Sequence, residues 1–108
     1  MDEATLIAAA RNGCEDAFAT LHKKHLPAVR AVGRTVLHTN DLDDLCQETF
    51  LLAFTRIHSF QGNSNFRTWL TRIAMNQCLM ILRRSRQVTN GALQLFAARY
   101  RCHGGWLP

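Results

Sequence analysis

The sequence predicts an all-α fold, a compact bundle of about four helices, and three observations carry that expectation. Apolar residues recur at spacings of three and four along most of the chain, which is the pattern of an amphipathic helix. No stretch keeps the two-residue alternation of a strand for long. Breaker segments at Asn12-Gly13, His38 to Asp41 and Ser59 to Ser64 cut the chain into pieces of helical length. With 108 residues, 47% apolar and 19% charged, the chain suffices for one modest core and not for two. It contains no internal repeat.

The first helix, about Asp2 to Arg11, stops at Asn12-Gly13, a residue pair that closes helices. A second spans about Glu15 to Leu37, with Phe18, Leu21, Leu26, Val29, Val32, Val36 and Leu37 as its buried stripe. Pro27 lies inside it, lacks a backbone donor, and is expected to kink or interrupt it near His25. His38-Thr39-Asn40-Asp41 reads as a connection ending in an N-cap, and Asp43 and Asp44 suit the first turn of a third helix that runs to about His58. At 100° per residue, Leu42, Leu45, Cys46, Phe50, Ala53 and Ile57 share its inner face. Asp44, Gln47, Glu48, Leu51 and Thr55 fall on the outer face, so Leu51 is expected to stand in water, ringed by acidic and amide groups.

Gly62 turns the loop Ser59 to Ser64, and Asn63, Ser64 or Asn65 is available to cap the fourth helix, about Phe66 to Arg86. That helix is expected to bury Phe66, Trp69, Leu70, Ile73, Ala74 and Ile81. Thr68, Arg72, Asn76, Leu79 and Arg83 form a side stripe, and Arg83-Arg84-Ser85-Arg86 closes the helix with three cations. From Gln87 the texture changes: Asn90-Gly91 marks a turn, Ala92 to Arg101 allows one short helix, and His103 to Pro108 has little to hold it. The folded domain is therefore expected over 1–86, with 87–108 a tail.

Several function classes are set aside by composition. No apolar run approaches the ~20 residues of a membrane span, and the acidic start MDEATLIAAARNG lacks the order of a signal peptide, so a cytoplasmic protein is expected. Cys14, Cys46, Cys78 and Cys102 are scattered without a Cys-x-x-Cys pair and read as small apolar fillers. His22 and His25 in HKKH can share a helical face, but no third ligand follows, and a solvated basic face is the simpler reading. No metal or other cofactor is expected. With no nucleophile-base pair and no phosphate loop, neither is an enzyme.

Charge is sharply divided. Through Glu48 there are eight acids against five Lys or Arg, net −3; from Thr49 onward there are eight Arg and no acid, net +8. The basic half suits phosphates and the acidic half a basic protein, although solvated charge alone explains either. Around the loop, Phe60 and Trp69 offer rings to unstacked bases. Ser59, Gln61, Asn63, Ser64, Asn65, Thr68 and Asn76 offer hydrogen bonds, and Arg67, Arg72, Arg83, Arg84 and Arg86 offer charge without neighbouring carboxylates. Against this stands the plainer reading that Trp69 is core and that Asn63 and Ser64 only cap a helix.

DLDDLCQETFLLAFTRIHSFQGNSNFRTWLTRIAMNQCLMILRRSR, Asp41 to Arg86, resembles the second conserved region of bacterial sigma factors of the extracytoplasmic-function group, and DAFATLHKKHLPAVRAVGRTVL resembles the helix preceding it. The resemblance rests on D-x-x-D-L-x-Q-E-T-F, F-x-G and F-R-T-W-L-x-R-I-A-x-N in order and at the family's spacing. It implies a domain that docks on the clamp helices of RNA polymerase core through Asp44, Gln47, Glu48 and Leu51. It also implies recognition and melting of the promoter −10 element, with a flipped non-template base captured by the loop Ser59 to Asn65 and the strand held by Arg67, Arg72, Asn76 and Arg83. Met80 stands where many relatives carry an acidic or amide residue, and a thioether reads base edges poorly. Family members continue into a second helical domain that reads the −35 element; the tail after Gln87 resembles neither that domain nor the linker, so a region without its own −35 reader is expected. The alternative is an interaction module that binds polymerase or an anti-sigma factor without productive promoter recognition.

Overall fold

The computed structural model describes residues 2–62 and 64–85. Helix α1 (Glu3–Arg11) starts where the Asp2 carboxylate accepts the Thr5 N–H at 2.8 Å, which satisfies one of the orphan donors of the first turn. Its end is a Schellman closure: Gly13 takes φ 87°, its N–H reaches the Ala10 carbonyl at 3.0 Å, and the Cys14 N–H reaches that of Ala9 at 3.1 Å. Glycine is used there because a Cβ is disfavoured at that φ.

Helix α2 (Glu15–Gly33) runs through Pro27 as one element, so the interruption that was one of the two outcomes expected near His25 does not occur. The proline forfeits one helical hydrogen bond, but Leu21, His25, Val29 and Val32 on either side of it are buried. Packing along that buried face outweighs the lost bond. The helix ends at Gly33 rather than Leu37, and a single further turn follows in which the Val36 and Leu37 N–H groups both donate to the Gly33 carbonyl, at 3.1 and 2.9 Å.

Helix α3 (Thr39–Thr55) begins two residues before the expected cap at Asp41, which instead lies in its first turn. It also stops earlier than His58, and a 3-10 turn (Ile57–Ser59) follows. All six predicted inner-face residues, Leu42, Leu45, Cys46, Phe50, Ala53 and Ile57, are buried. Helix α4 (Phe66–Ser85) is capped by Asn65, whose side-chain oxygen accepts the Thr68 N–H at 2.8 Å.

The fold is all-α, with α2 central: it packs on α1, α3 and α4, and α3 packs on α4. From α4, Phe66, Leu70, Ala74 and Ile81 enter the core as expected, while Trp69 and Ile73 are half-buried against it. Leu79 is buried too, together with Met75, Cys78 and Leu82, so the side stripe expected to include Leu79 is narrower than its spacing suggested. A helix squeezed between two neighbours buries a wider arc than one resting on a single surface.

HKKH is only partly a solvated face. His22 is exposed against the Phe50 ring, with centroids 4.4 Å apart, but His25 is buried, 3.0 Å from the Glu3 carboxylate and 5.2 Å from the Phe66 ring. Cys46 and Cys78 are buried fillers, and burial pushes the Cys78 thiol up to about 12. Cys14 is exposed ahead of α2, contrary to expectation, and Cys102 lies outside the described residues. Among the described residues no helix is long and apolar enough to cross a membrane.

Candidate functional site

Two surfaces stand out, one on α3 and one formed by the loop before α4 with the outer side of α4. On α3, the inward turn of Leu45, Cys46 and Thr49 forces Asp44, Gln47 and Leu51 outward. Asp44 and Gln47 are exposed and have no side-chain partner among the described residues. Leu51 is 69% exposed, and with Met80 it is one of two large apolar side chains so exposed among the described residues. Glu48 is half-buried; one carboxylate oxygen lies 3.5 Å from Arg84 of α4, and the other is buried without a partner among the described residues. Nearby, Arg30 of α2 and Asp43 pair at 3.5 Å, so the rim of this face is tied to two neighbouring helices.

The loop side sorts the other candidates. Ser59 and Gln61 are exposed, with the Ser59 hydroxyl donating to the Arg56 carbonyl at 2.7 Å. Phe60 is not an open platform: its side chain is 7% exposed and packs edge-on against Phe66, ring centroids 5.6 Å apart, and against Trp69 at 5.3 Å. An apolar ring next to two others gains more from burial than from water, so the reading of Phe60 as a base-stacking surface is corrected. Trp69 takes the plainer role of aromatic packing. Gly62 has φ 80° and turns the chain. Ser64 is half-buried and Asn65 is committed to capping, whereas Asn63 and Arg86 lie outside the described residues.

Along α4, Arg72, Asn76 and Arg83 fall within about 40° of one another on the helical wheel, and both arginines are exposed. Among the described residues the buried Asn76 side-chain oxygen has no partner, which leaves the amide with unspent hydrogen-bonding capacity there. Met80 is 47% exposed on the same side, and the Gln77 amide lies 3.8 Å from its sulfur. Thr68 is half-buried. Arg67 is exposed but sits on the first turn at roughly 140° or more from that strip. Arg84 leaves the strip for Glu48.

Sequence reasoning missed one participant. Arg11, in the last turn of α1, donates to the Phe60 carbonyl and, at 3.4 Å, to that of Ile57. Nothing local to Arg11 signals this, since its partners lie 46 and 49 residues away.

The described residues thus form a small helical bundle with an acidic face around Leu51 on α3 and a carboxylate-free strip carrying Arg72 and Arg83 on α4. The chain belongs to the sigma-70 region 2 family, whose sequence model matches residues 21–88. It is similar to the ECF RNA polymerase sigma-E factor of Haemophilus influenzae, 34% identical over 76 residues that cover 70% of this chain and 40% of that protein. It is also similar to the RNA polymerase sigma factor NccH of Alcaligenes xylosoxydans, 37% identical over 89 residues, or 82% of this chain and 47% of the relative. With the ECF RNA polymerase sigma factor SigG of Mycobacterium tuberculosis it shares 48% identity over 54 residues, 48% of this chain and 15% of that one. The chain thus spans less than half the length of these curated relatives. No solved structure gives a significant match.

Proposed function

We propose that this domain binds RNA polymerase core through the outer face of α3 and recognises and melts the −10 promoter element by capturing unpaired non-template DNA on the loop and α4. The exposure of Leu51 within an acidic rim carries the reading. An apolar side chain left in water at the centre of a charged ring has the anatomy of an interface hot spot, and the carboxylates of Asp44 and Glu48 steer it toward a basic partner. The polymerase clamp helices are that partner.

On the DNA side, the flipped base enters between small residues of the loop, where Gln61, Asn63 and Ser64 supply edge partners. Arg72 and Arg83 hold phosphates, and the unspent Asn76 amide meets a base or sugar. Asn65 contributes chiefly by fixing the start of α4. Arg84 contributes through Glu48, as a tie between the two faces. Binding unpaired strand more tightly than duplex shifts the promoter toward the open state, and bond-making chemistry stays with the polymerase.

The test is titration of purified core polymerase with the chain, wild type against Asp44→Lys combined with Gln47→Lys. Both side chains are exposed and, among the described residues, unpaired, so the double variant should fold normally and lose core binding. Unchanged affinity would remove this face from the interface. In the core complex, Asn63→Ala with Ser64→Ala should weaken binding of a −10 single strand and leave core affinity alone; unchanged strand affinity would remove the loop.

A further inference from the structure

We infer that α1, which precedes the segment matched by the family, is the brace that holds the base-capture loop in shape, with Arg11 as its positioning residue. The inference rests on the reading of the loop given under Proposed function. The loop is bracketed by two anchored aromatics, Phe60 and Phe66, whose rings meet edge to face with centroids 5.6 Å apart. The residues between those anchors are small or polar in sequence, and a Cβ added at Gly62 would meet nothing within 4 Å among the described residues. Exposed residues such as Gln61 and Gly62, with few contacts of their own, take their position from the anchored residues beside them.

Helix α1 reaches both ends. At the first, the Arg11 guanidinium donates to the Phe60 carbonyl through Nη2 and to the Ile57 carbonyl through Nε at 3.4 Å, and its carbon lies 6.0 Å from the centre of the Phe60 ring. A guanidinium presents its donors in a fixed planar fork that suits two carbonyls and a nearby aromatic face, whereas an ammonium is a compact point charge without that preset geometry. At the second end, the Glu3 carboxylate accepts from Lys24 at 2.6 Å and lies 3.0 Å from His25 Nε2, while the His25 ring packs on Phe66 at 5.2 Å. The chain of contacts runs from α1 through α2 to the first residue of α4. Holding both anchors in advance lowers the ordering cost of capturing a base.

Leu6, Ile7 and Ala10 supply α1's share of the core, so Arg11 can be changed without dismantling it. The experiment uses core polymerase loaded with the full chain and a set of −10 non-template oligonucleotides, each carrying one abasic site. Wild type should lose affinity at one abasic position. Arg11→Ala should bind core as wild type does, bind the intact strand about tenfold more weakly, a loss of the size expected for charge-assisted hydrogen bonds that preorganise a site, and no longer distinguish intact from abasic strand at that position. Arg11→Lys, which keeps the charge but not the fork, should fall between. Amide exchange of the free chain gives a second readout: residues 61–65 should exchange faster in both variants while the core of α2 stays protected. Undiminished discrimination, or unchanged loop exchange, in the two Arg11 variants would overturn the brace. A wild type indifferent to every abasic site would overturn base capture itself and the brace with it.

Discussion

Replacing Leu51 by alanine separates interface from fold more cleanly than any other single change on α3. The side chain is 69% exposed, so about two-thirds of its surface is still available for a partner to cover. Burying a whole leucine is worth about 1.5–3 kcal/mol, which leaves about 1–2 kcal/mol for the docked state, or roughly a 5- to 30-fold rise in the dissociation constant for core polymerase. The folded chain loses little, because exposed substitutions between good helix formers stay within about 0.5 kcal/mol. The nearby bond from the Thr55 hydroxyl to the Leu51 carbonyl, 2.6 Å, involves only the backbone of residue 51 and survives. Anisotropy titration of labelled chain with core enzyme measures the affinity, and a melting curve measures the fold. A dissociation constant within twofold of wild type, in a variant that melts normally, would refute the assignment of this face.

Other expectations follow from single contacts. Asn65→Ala should cost about 1 kcal/mol by removing the α4 cap, whereas Asn65→Asp should keep the cap and stability yet weaken strand binding by placing a carboxylate beside the phosphates; thermal melts and strand titrations of both test this. Arg83→Ala should weaken strand binding and reduce its salt slope by about 0.7, while Arg84→Ala, whose cation faces Glu48, should change the slope less. Burial alone would raise the Glu3 carboxyl, but hydrogen bonds from Lys24 and His25 outweigh it and hold the group below its ordinary 4.5. Its stabilisation is therefore present above pH 4.5 and is lost as the pH falls through the lower folded value, so Glu3→Gln should lower stability at neutral pH and flatten the acid unfolding below pH 4.5. In a Cys102→Ser background, an aromatic disulfide reagent should titrate Cys14 at once and reach Cys46 and Cys78 only on unfolding, because burial raises both thiols and shields them.

The helices were legible because their cause is local. The three- and four-residue recurrence of Leu42, Leu45, Cys46, Phe50 and Ala53 can be satisfied only by one buried helical face, and the same periodicity pushes Asp44, Gln47 and Leu51 to the outside. Asn12-Gly13 and Gly62 were equally readable, since few residues besides glycine tolerate a φ near 87° or 80°. Errors gathered at the ends of α2 and α3, where the decision turned on how much neighbouring surface each residue could bury. The acidic and basic division was visible in composition, but its refinement was not: nothing in the run Arg83-Arg84 distinguishes the cation that faces solvent from the one that meets Glu48.

By itself, then, the sequence determined which segments are helical, which faces are apolar, and where the carboxylates end and the arginines begin, all of which follow from spacing along one chain. Only the tertiary structure decided that Phe60 is core rather than platform, that His25 is buried beside Glu3, and that Arg11 reaches across 49 residues to the Phe60 carbonyl. Those outcomes depend on which surfaces come together, and a contact between distant residues is set by the packing of whole helices rather than by the pattern of any one of them.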